Sequence, residues 1–236
     1  ISYRACFKPQ LPNFFITLLT KPGDIVYDPF SGRGTTIIEA ALLNRNIISN
    51  DINPLSKIFC KPRLFIPTLD EIQKRLNEIE IKNSIQPDID LNMFFHDKTL
   101  KEILSIKNYL INKEKEKLND NIDDWIRMVA TNRLTGHSKG FFSIYTLPPN
   151  QALLPERQKI INLKRNITPE YRDTKQIILK KSKSLLRNIS DIKINELRNI
   201  GLNSIFLESD ASETKEIKDN IVTLIVTSPP FLDVVH

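Results

Sequence analysis

A chain of 236 residues that is 40% hydrophobic can build one large domain, or one domain carrying an insertion, and no apolar run approaches the length of a membrane span. A net charge of +6 and a pI near 9.2 lean towards a polyanionic partner, although a composition rich in Lys, Asn and Ile also follows from an AT-rich genome. Cys6 and Cys60 cannot form a C-x-x-C metal site, and with only His96, His137 and His236 besides no zinc cluster is visible. The two thiols fit a cytoplasmic protein better than a disulfide scaffold.

The start, Ile1-Ser2-Tyr3-Arg4, carries no signal-peptide pattern, and its lack of Met fits a trimmed sequence. Leu11 to Thr20, introduced by Pro9 and Pro12, reads as a short helix that Lys21-Pro22-Gly23-Asp24 stops. Ile25 to Tyr27 is an apolar run that reads as a buried strand. It ends in Asp28 and the turn Pro29-Phe30-Ser31-Gly32-Arg33-Gly34, and Thr35 to Leu43 follows as an apolar helix. Strand, glycine turn and helix make the first unit of a doubly wound α/β sheet, whose ligands sit at the carboxyl ends of the strands. The glycines let the backbone approach a ligand, and the helix start offers free N–H groups. A phosphate-binding P-loop would need a Lys before Thr35-Thr36, and a dinucleotide fingerprint would need glycine where Ile37 stands. Ile47 to Asp51 reads as a second strand. Its terminal acid is at the distance expected of a βαβ unit and can accept hydrogen bonds from ribose hydroxyls, or can simply start the turn at Asn53-Pro54.

The pattern then becomes helical. Leu69, Ile72, Leu76 and Ile79 are spaced as one face of a helix within Thr68 to Lys82, and Lys98 to Leu118 continues in the same way to a solvated Lys/Glu end. Asn121 to Asp124 can cap a third helix running through Leu134, with Trp125 as a core anchor. Gly136 to Thr146, with Pro148, Pro149 and Pro155 after it, mixes small polar, aromatic and proline residues, as a binding loop would. A basic segment follows: Arg157, Lys159, Lys164, Arg165, Arg172, Lys175, Lys180, Lys181, Lys183 and Arg187. With Lys139 it can contact phosphates, and Asn150, Gln151, Gln158 and Asn162 carry the amides that read base edges. The competing reading is a solvated helix face. No strand-like alternation occurs between Lys61 and Ile200, so 67–199 reads as a helical insertion and 1–66 with 200–236 as the core.

Ser204 to Asp210 reads as a third strand ending in an acid. Asp219 to Val226 reads as a fourth, and Ile221 to Val226 is so continuously apolar that it suggests burial on both faces. It delivers Thr227-Ser228-Pro229-Pro230-Phe231.

These two strand-end stretches carry a resemblance. Asp28-Pro29-Phe30-Ser31-Gly32-Arg33-Gly34-Thr35-Thr36 resembles the DPFxGxGTT motif of amino-group DNA methyltransferases, and Ser228-Pro229-Pro230-Phe231 is similar to their [DNS]PP[YF] motif. The likeness covers Pro9 to Pro54 and Ser204 to Val235, in the alpha motif order, with the middle as target-recognition region. It implies a Rossmann-like α/β core and S-adenosylmethionine as methyl donor. Phe30, Gly32 and Gly34 would line its methionine part, Asp28 would lie near its amino group, Asp51 would hold its ribose and Asp210 its adenine amine, with Thr35 also among the cofactor-binding residues. Lys8 to Leu11 would contribute a further cofactor contact. Ser228 and the Pro229 carbonyl would accept protons of the exocyclic amine by hydrogen bond, Pro229 and Pro230 would fix the turn, and Phe231 would stack the extruded base. No Pro-Cys nucleophile of carbon-5 methylation is visible, and no metal is implied.

Ser in the first catalytic position points to cytosine N4 over adenine N6, within restriction–modification, and to DNA plus a cognate endonuclease or complementing chain as partners. An RNA base methyltransferase and an inactive binding fragment are the rivals. The family's sheet has seven strands and only four are found here. The expectation is a fragment, or strands supplied by another chain, with the fourth strand left as an apolar edge.

Overall fold

A computed structural model describes residues 7–136, 138–143 and 154–229. The described chain divides into two compact units, residues 67–188 and residues 7–66 with 189–229.

The second of these is the α/β unit. Helix α1 (Gln10–Leu19) precedes strand β1 (Ile25–Asp28), helix α2 (Thr35–Leu42) and strand β2 (Asn46–Asn50). Helix α3 (Leu55–Cys60) follows, a short helix that the apolar spacing does not announce. After the other unit come helix α9 (Asp191–Leu202) and strands β3 (Ile205–Leu207) and β4 (Leu224–Ile225). The four strands form one parallel sheet in the order β3-β2-β1-β4. The doubly wound α/β core expected from the strand–turn–helix pattern is therefore present, and small.

The core forms where β-branched runs meet a small-residue helix. Val26, Ile47 and Ile48 of the strands are buried, as are Ile37, Ala40 and Ala41 of α2, which packs on β1 and β2, and Ile16 of α1. Ala40 and Ala41 let the helix approach the sheet closely. Arg45 is buried and, among the described residues, is satisfied not by an acid but by the ends of α1 and α2. Its Nε donates to Thr20 Oγ1 at 2.9 Å, its Nη2 to the Thr20 carbonyl at 2.6 Å and its Nη1 to the Leu43 carbonyl at 2.6 Å. This ties the end of α1 to the start of β2. Helix α9 packs by Gly201, where a Cβ would come within 2.8 Å of the Phe65 ring.

Two strand expectations are corrected. The third strand pairs over Ile205–Leu207 only, and the fourth over Leu224–Ile225 rather than through the whole run from Asp219. The fourth is not buried on both faces either, since Ile225 is 56% exposed. The reason is its position at the edge of the described sheet, with β1 as its one neighbour. Backbone bonds from Thr223 to Ile25 (2.9 Å) and from Val226 to Tyr27 (3.2 Å) nonetheless hold it in register.

The unit of residues 67–188 is helical: α4 (Leu69–Glu78), α5 (Asp97–Lys115), α6 (Asn121–Arg133), α7 (Pro155–Arg165) and α8 (Thr174–Leu186). Thr68 with Glu71, and Asp120 with Asp123, form reciprocal capping boxes at α4 and α6. Arg75 of α4 then bonds Asp120 (2.8 Å) and the buried Asp123 (2.5 Å), so one cation closes the cap of α6. Trp125 anchors this core, its Nε1 donating to Ser182 at 3.0 Å. Buried Glu102 accepts from the Tyr171 hydroxyl and from both the amide and hydroxyl of Thr174. Burial and that carboxylate push the Tyr171 hydroxyl well above its usual range.

Candidate active site

The glycine turn is shaped by polar groups packed under it. The Ser31 hydroxyl donates to the Asp28 carbonyl at 2.9 Å, and the Ser31 amide donates to the Asn50 carbonyl at 2.9 Å. The Ser49 hydroxyl reaches Ser31 Oγ at 2.9 Å, and Gly34 N closes the turn on the Ser31 carbonyl at 2.7 Å. Gly32 and Gly34 lie in the left-handed region, at φ of 51° and 79°. A Cβ on Gly34 would also fall 2.3 Å from Cys60 Sγ. Burial pushes that thiol up to about 12, so Cys60 is a packing atom and not a nucleophile. Gly34 is the N-cap of α2, and no side chain caps it. The helix start thus faces the turn with backbone donors.

Three acids stand at the carboxyl ends of adjacent strands. Asp28 ends β1 and is 2% exposed. Its Oδ1 accepts from Phe30 N at 3.1 Å and from the Thr227 hydroxyl at 2.7 Å. Burial raises its pKa against these two bonds, which favour the carboxylate. Asp51 follows β2. Its Oδ2 accepts from Gly32 N at 2.8 Å and its Oδ1 from Asn53 N at 2.9 Å. It therefore serves the turn at Asn53 and also bridges to the glycine loop, with lone pairs left on both oxygens. Asp210 is exposed beyond β3, its Oδ1 holding the amide and hydroxyl of Ser212, which draws its pKa down. Phe30 is partly exposed beside the loop, and Thr35 opens α2.

Two residues that the sequence reading did not single out draw these pieces together. Asn50 exchanges a pair of bonds with the Ser209 backbone, both at 3.0 Å, and so joins the ends of β2 and β3. Thr227 joins the end of β4 to Asp28. It immediately precedes Ser228 and Pro229, so the chain leaves β4 towards the second motif from a point fixed on the first. Its only sequence signal is adjacency to Ser-Pro-Pro-Phe. Pro230 and Phe231 lie outside the described residues.

The nucleic-acid candidates belong to the helical unit. Lys139, Arg157, Lys164 and Arg165 are exposed. Asn150 and Gln151 lie outside the described residues. Two further amides are corrected: Gln158 is buried and donates to Asn162 Oδ1 at 2.7 Å, while Asn162 donates to the Met93 carbonyl at 2.9 Å. They dock α7 rather than face a ligand. Among the described residues no group of acids, His or Cys could hold a metal ion, and no helix is long and apolar enough to cross a membrane.

A parallel sheet with a glycine turn after β1 and an acid after β2, whose β4 leads into Ser228-Pro229, is consistent with a methyltransferase core. The comparisons agree. A family model described as DNA methylase, of the N6/N4 type, matches residues 2–57. The Type II methyltransferase M.MvaI of Kocuria varians is 26% identical over 98% of this chain and 52% of its own length. M.BsoBI of Geobacillus stearothermophilus is 26% identical over 98% of the chain and 48% of its own. M.PvuII of Proteus hauseri is 42% identical over 22% of the chain and 16% of its own. No solved structure matches. These likenesses support an amino-group DNA methyltransferase of the N4/N6 family, a family that uses S-adenosylmethionine as methyl donor. The chain spans about half the length of the first two relatives.

Proposed function

We propose that the protein transfers methyl from S-adenosylmethionine to the exocyclic amine of a base at a specific site in DNA, with cytosine N4 as the acceptor, as the modification half of a restriction–modification pair. The observation that carries this reading is the 2.7 Å bond from Thr227 to Asp28, which holds the start of the catalytic motif beside the cofactor motif. The names of the Type II relatives support the site-specific role, and Ser228 at the head of the Pro-Pro-Phe motif supports cytosine.

The residues present fit the cofactor. Gly32 and Gly34 leave a turn without Cβ atoms, the uncapped start of α2 offers N–H donors, and Asp51 keeps acceptor capacity beyond Gly32 N and Asn53 N. Asp28 would face the cofactor's ammonium, Asp51 its ribose hydroxyls and Asp210 its adenine amine, with Phe30 and Thr35 along the methionine chain. When bound, the cofactor supplies a methyl group on a positively charged sulfur, whose bond breaks with its electron pair returning to sulfur as the new N–C bond forms.

An exocyclic amine is a weak nucleophile because its lone pair is delocalised into the ring. The protein's task is therefore orientation and proton acceptance. Ser228 Oγ and the Pro229 carbonyl accept hydrogen bonds from the amine, which directs its lone pair and draws off the proton it loses. Phe231 would stack the extruded base. The exposed cations Lys139, Arg157, Lys164 and Arg165, with Asn150 and Gln151 in the preceding loop, contact the duplex.

The test is nucleoside mass spectrometry of DNA from cells expressing the full gene, beside Ser228→Ala. N4-methylcytosine with the wild type alone is the expected result. N6-methyladenine keeps the mechanism and overturns the base assignment. Unmodified DNA, with cofactor binding retained in calorimetry, overturns the DNA reading.

A further inference from the structure

The helical unit holds an arginine in an unusual state. Arg133 ends α6, and its guanidinium carbon lies 3.9 Å from the centroid of the Phe141 ring. That ring belongs to a short loop folded back on the helix end. Phe142 N donates to the Arg133 carbonyl (2.8 Å), Ser143 N to the Leu134 carbonyl (3.1 Å) and Gly136 N to the Ser143 carbonyl (2.9 Å). Phe142 beside it is buried and anchors the loop. A Cβ on Gly136 would fall 2.3 Å from the Phe141 ring, so glycine makes the room in which the ring lies. The guanidinium is thus held over a fixed ring.

Its charge is uncompensated. The Nε donates to the neighbouring Asn132 carbonyl at 3.1 Å, and among the described residues no carboxylate pairs with it. Three other arginines of this unit pair with acids, Arg75 with Asp120 and Asp123, Arg127 with Glu114 and Arg172 with Glu170. Burial lowers the Arg133 pKa and no neighbouring charge raises it. Arg172 Nη1 donates to the Lys139 carbonyl of the same loop at 3.4 Å.

Resting on the DNA methyltransferase reading, we propose that Arg133, packed over Phe141, recognises guanine by its O6 and N7 acceptors and so fixes one position of the target sequence. The two Nη groups form a rigid fork whose spacing matches that acceptor pair. A phosphate needs charge but no fixed plane, and the exposed Arg157, Lys164, Arg165 and Lys183 on α7 and α8 supply charge without one.

The experiment is selection from a random-sequence duplex DNA library by the full chain and by Arg133→Lys, Arg133→Ala and Phe141→Leu. Helical circular dichroism and Trp125 emission check that each variant is folded. The wild type should enrich a motif containing guanine. Both Arg133 variants should lose preference at one guanine by about 10- to 100-fold while the other positions persist, and Phe141→Leu should weaken the same position. An unchanged motif with unchanged affinity overturns the proposal. So does a uniform loss over all sequences with the salt slope reduced by about 0.9, the signature of a phosphate contact. If Arg133→Lys is folded and selects as the wild type does, the fork is not the reader. A wild type that enriches no motif overturns the site-specific reading together with this inference, whereas a motif indifferent to Arg133 overturns the inference alone.

Discussion

Replacing Thr227 by Val removes one hydroxyl and keeps the β-branched shape that suits the end of β4. The lost bond is the 2.7 Å donation to Asp28 Oδ1. Asp28 is nearly inaccessible, so water cannot replace the donor from its side, whereas Thr227 is only part-buried. A hydrogen bond to a charged group contributes about 1.5–3 kcal/mol, and the partial exposure puts this one near 1.5 kcal/mol, about tenfold in an equilibrium constant. Trp125 lies in the helical unit and does not report on the sheet, so the assay is hydrogen exchange of the β1 and β2 amides. Their protection should fall about tenfold. In the full enzyme kcat should fall by at least a similar factor with little change in the cofactor KM, since Thr227 orients Ser228 and touches no ligand. Thr227→Ser, which keeps the hydroxyl, should restore both. Equal protection in wild type and Val variant, or a Ser variant as impaired as the Val one, would refute the role.

Asp28→Asn keeps the acceptor at Oδ1 and removes a charge that burial disfavours. Because the folded pKa lies above the ordinary 3.8, the wild type is favoured over the variant at acid pH and loses that advantage as pH rises through the folded value. Melting curves of the two proteins from pH 4 to pH 8 should diverge in that sense, while cofactor affinity of the variant falls. Gly34→Ala should cost at least about 2 kcal/mol, from a strained φ and the clash with Cys60. Adding Cys60→Ala should recover the clash but leave about 1 kcal/mol, read by exchange of the α2 amides. Arg75→Met leaves Asp123 buried and unpaired, and should destabilise the helical unit by about 3 kcal/mol in Trp125-monitored denaturation, the half-exposed Asp120 keeping the cost at the low end.

The pieces legible in the sequence are those fixed by local chemistry. Apolar runs closed by Asp28 and by Asn50-Asp51 mark β1 and β2, 3.6-residue spacing marks α4 and α5, and the acidic stretch from Asn121 to Asp124 marks the start of α6, whose cap is the preceding Asp120. The glycine turn was readable because Gly32 and Gly34 occupy backbone conformations that few other residues adopt. What was not legible depends on partners far along the chain. Asn50 is an ordinary strand residue until Ser209, 159 positions later, bonds to it. Gln158 and Asn162 look like base readers until Met93 shows them turned inward. The apolar run before Thr227 suggests a central strand, yet hydrophobicity alone does not tell how many neighbours a strand will have.

The sheet order also sets a schedule. β1 and β2 leave the ribosome before β3 and β4, and some 155 residues separate the end of β2 from the start of β3, roughly 8–30 s at common synthesis rates. Throughout that interval the nascent β1–β2 pair has two bare edges, while the helical unit acquires every residue of its own core. β3 must then dock on the β2 side and β4 on the β1 side. The clasps at Asn50–Ser209 and Asp28–Thr227 close only after both strands arrive, so a ligand pocket at the strand ends waits on the whole helical unit being made first.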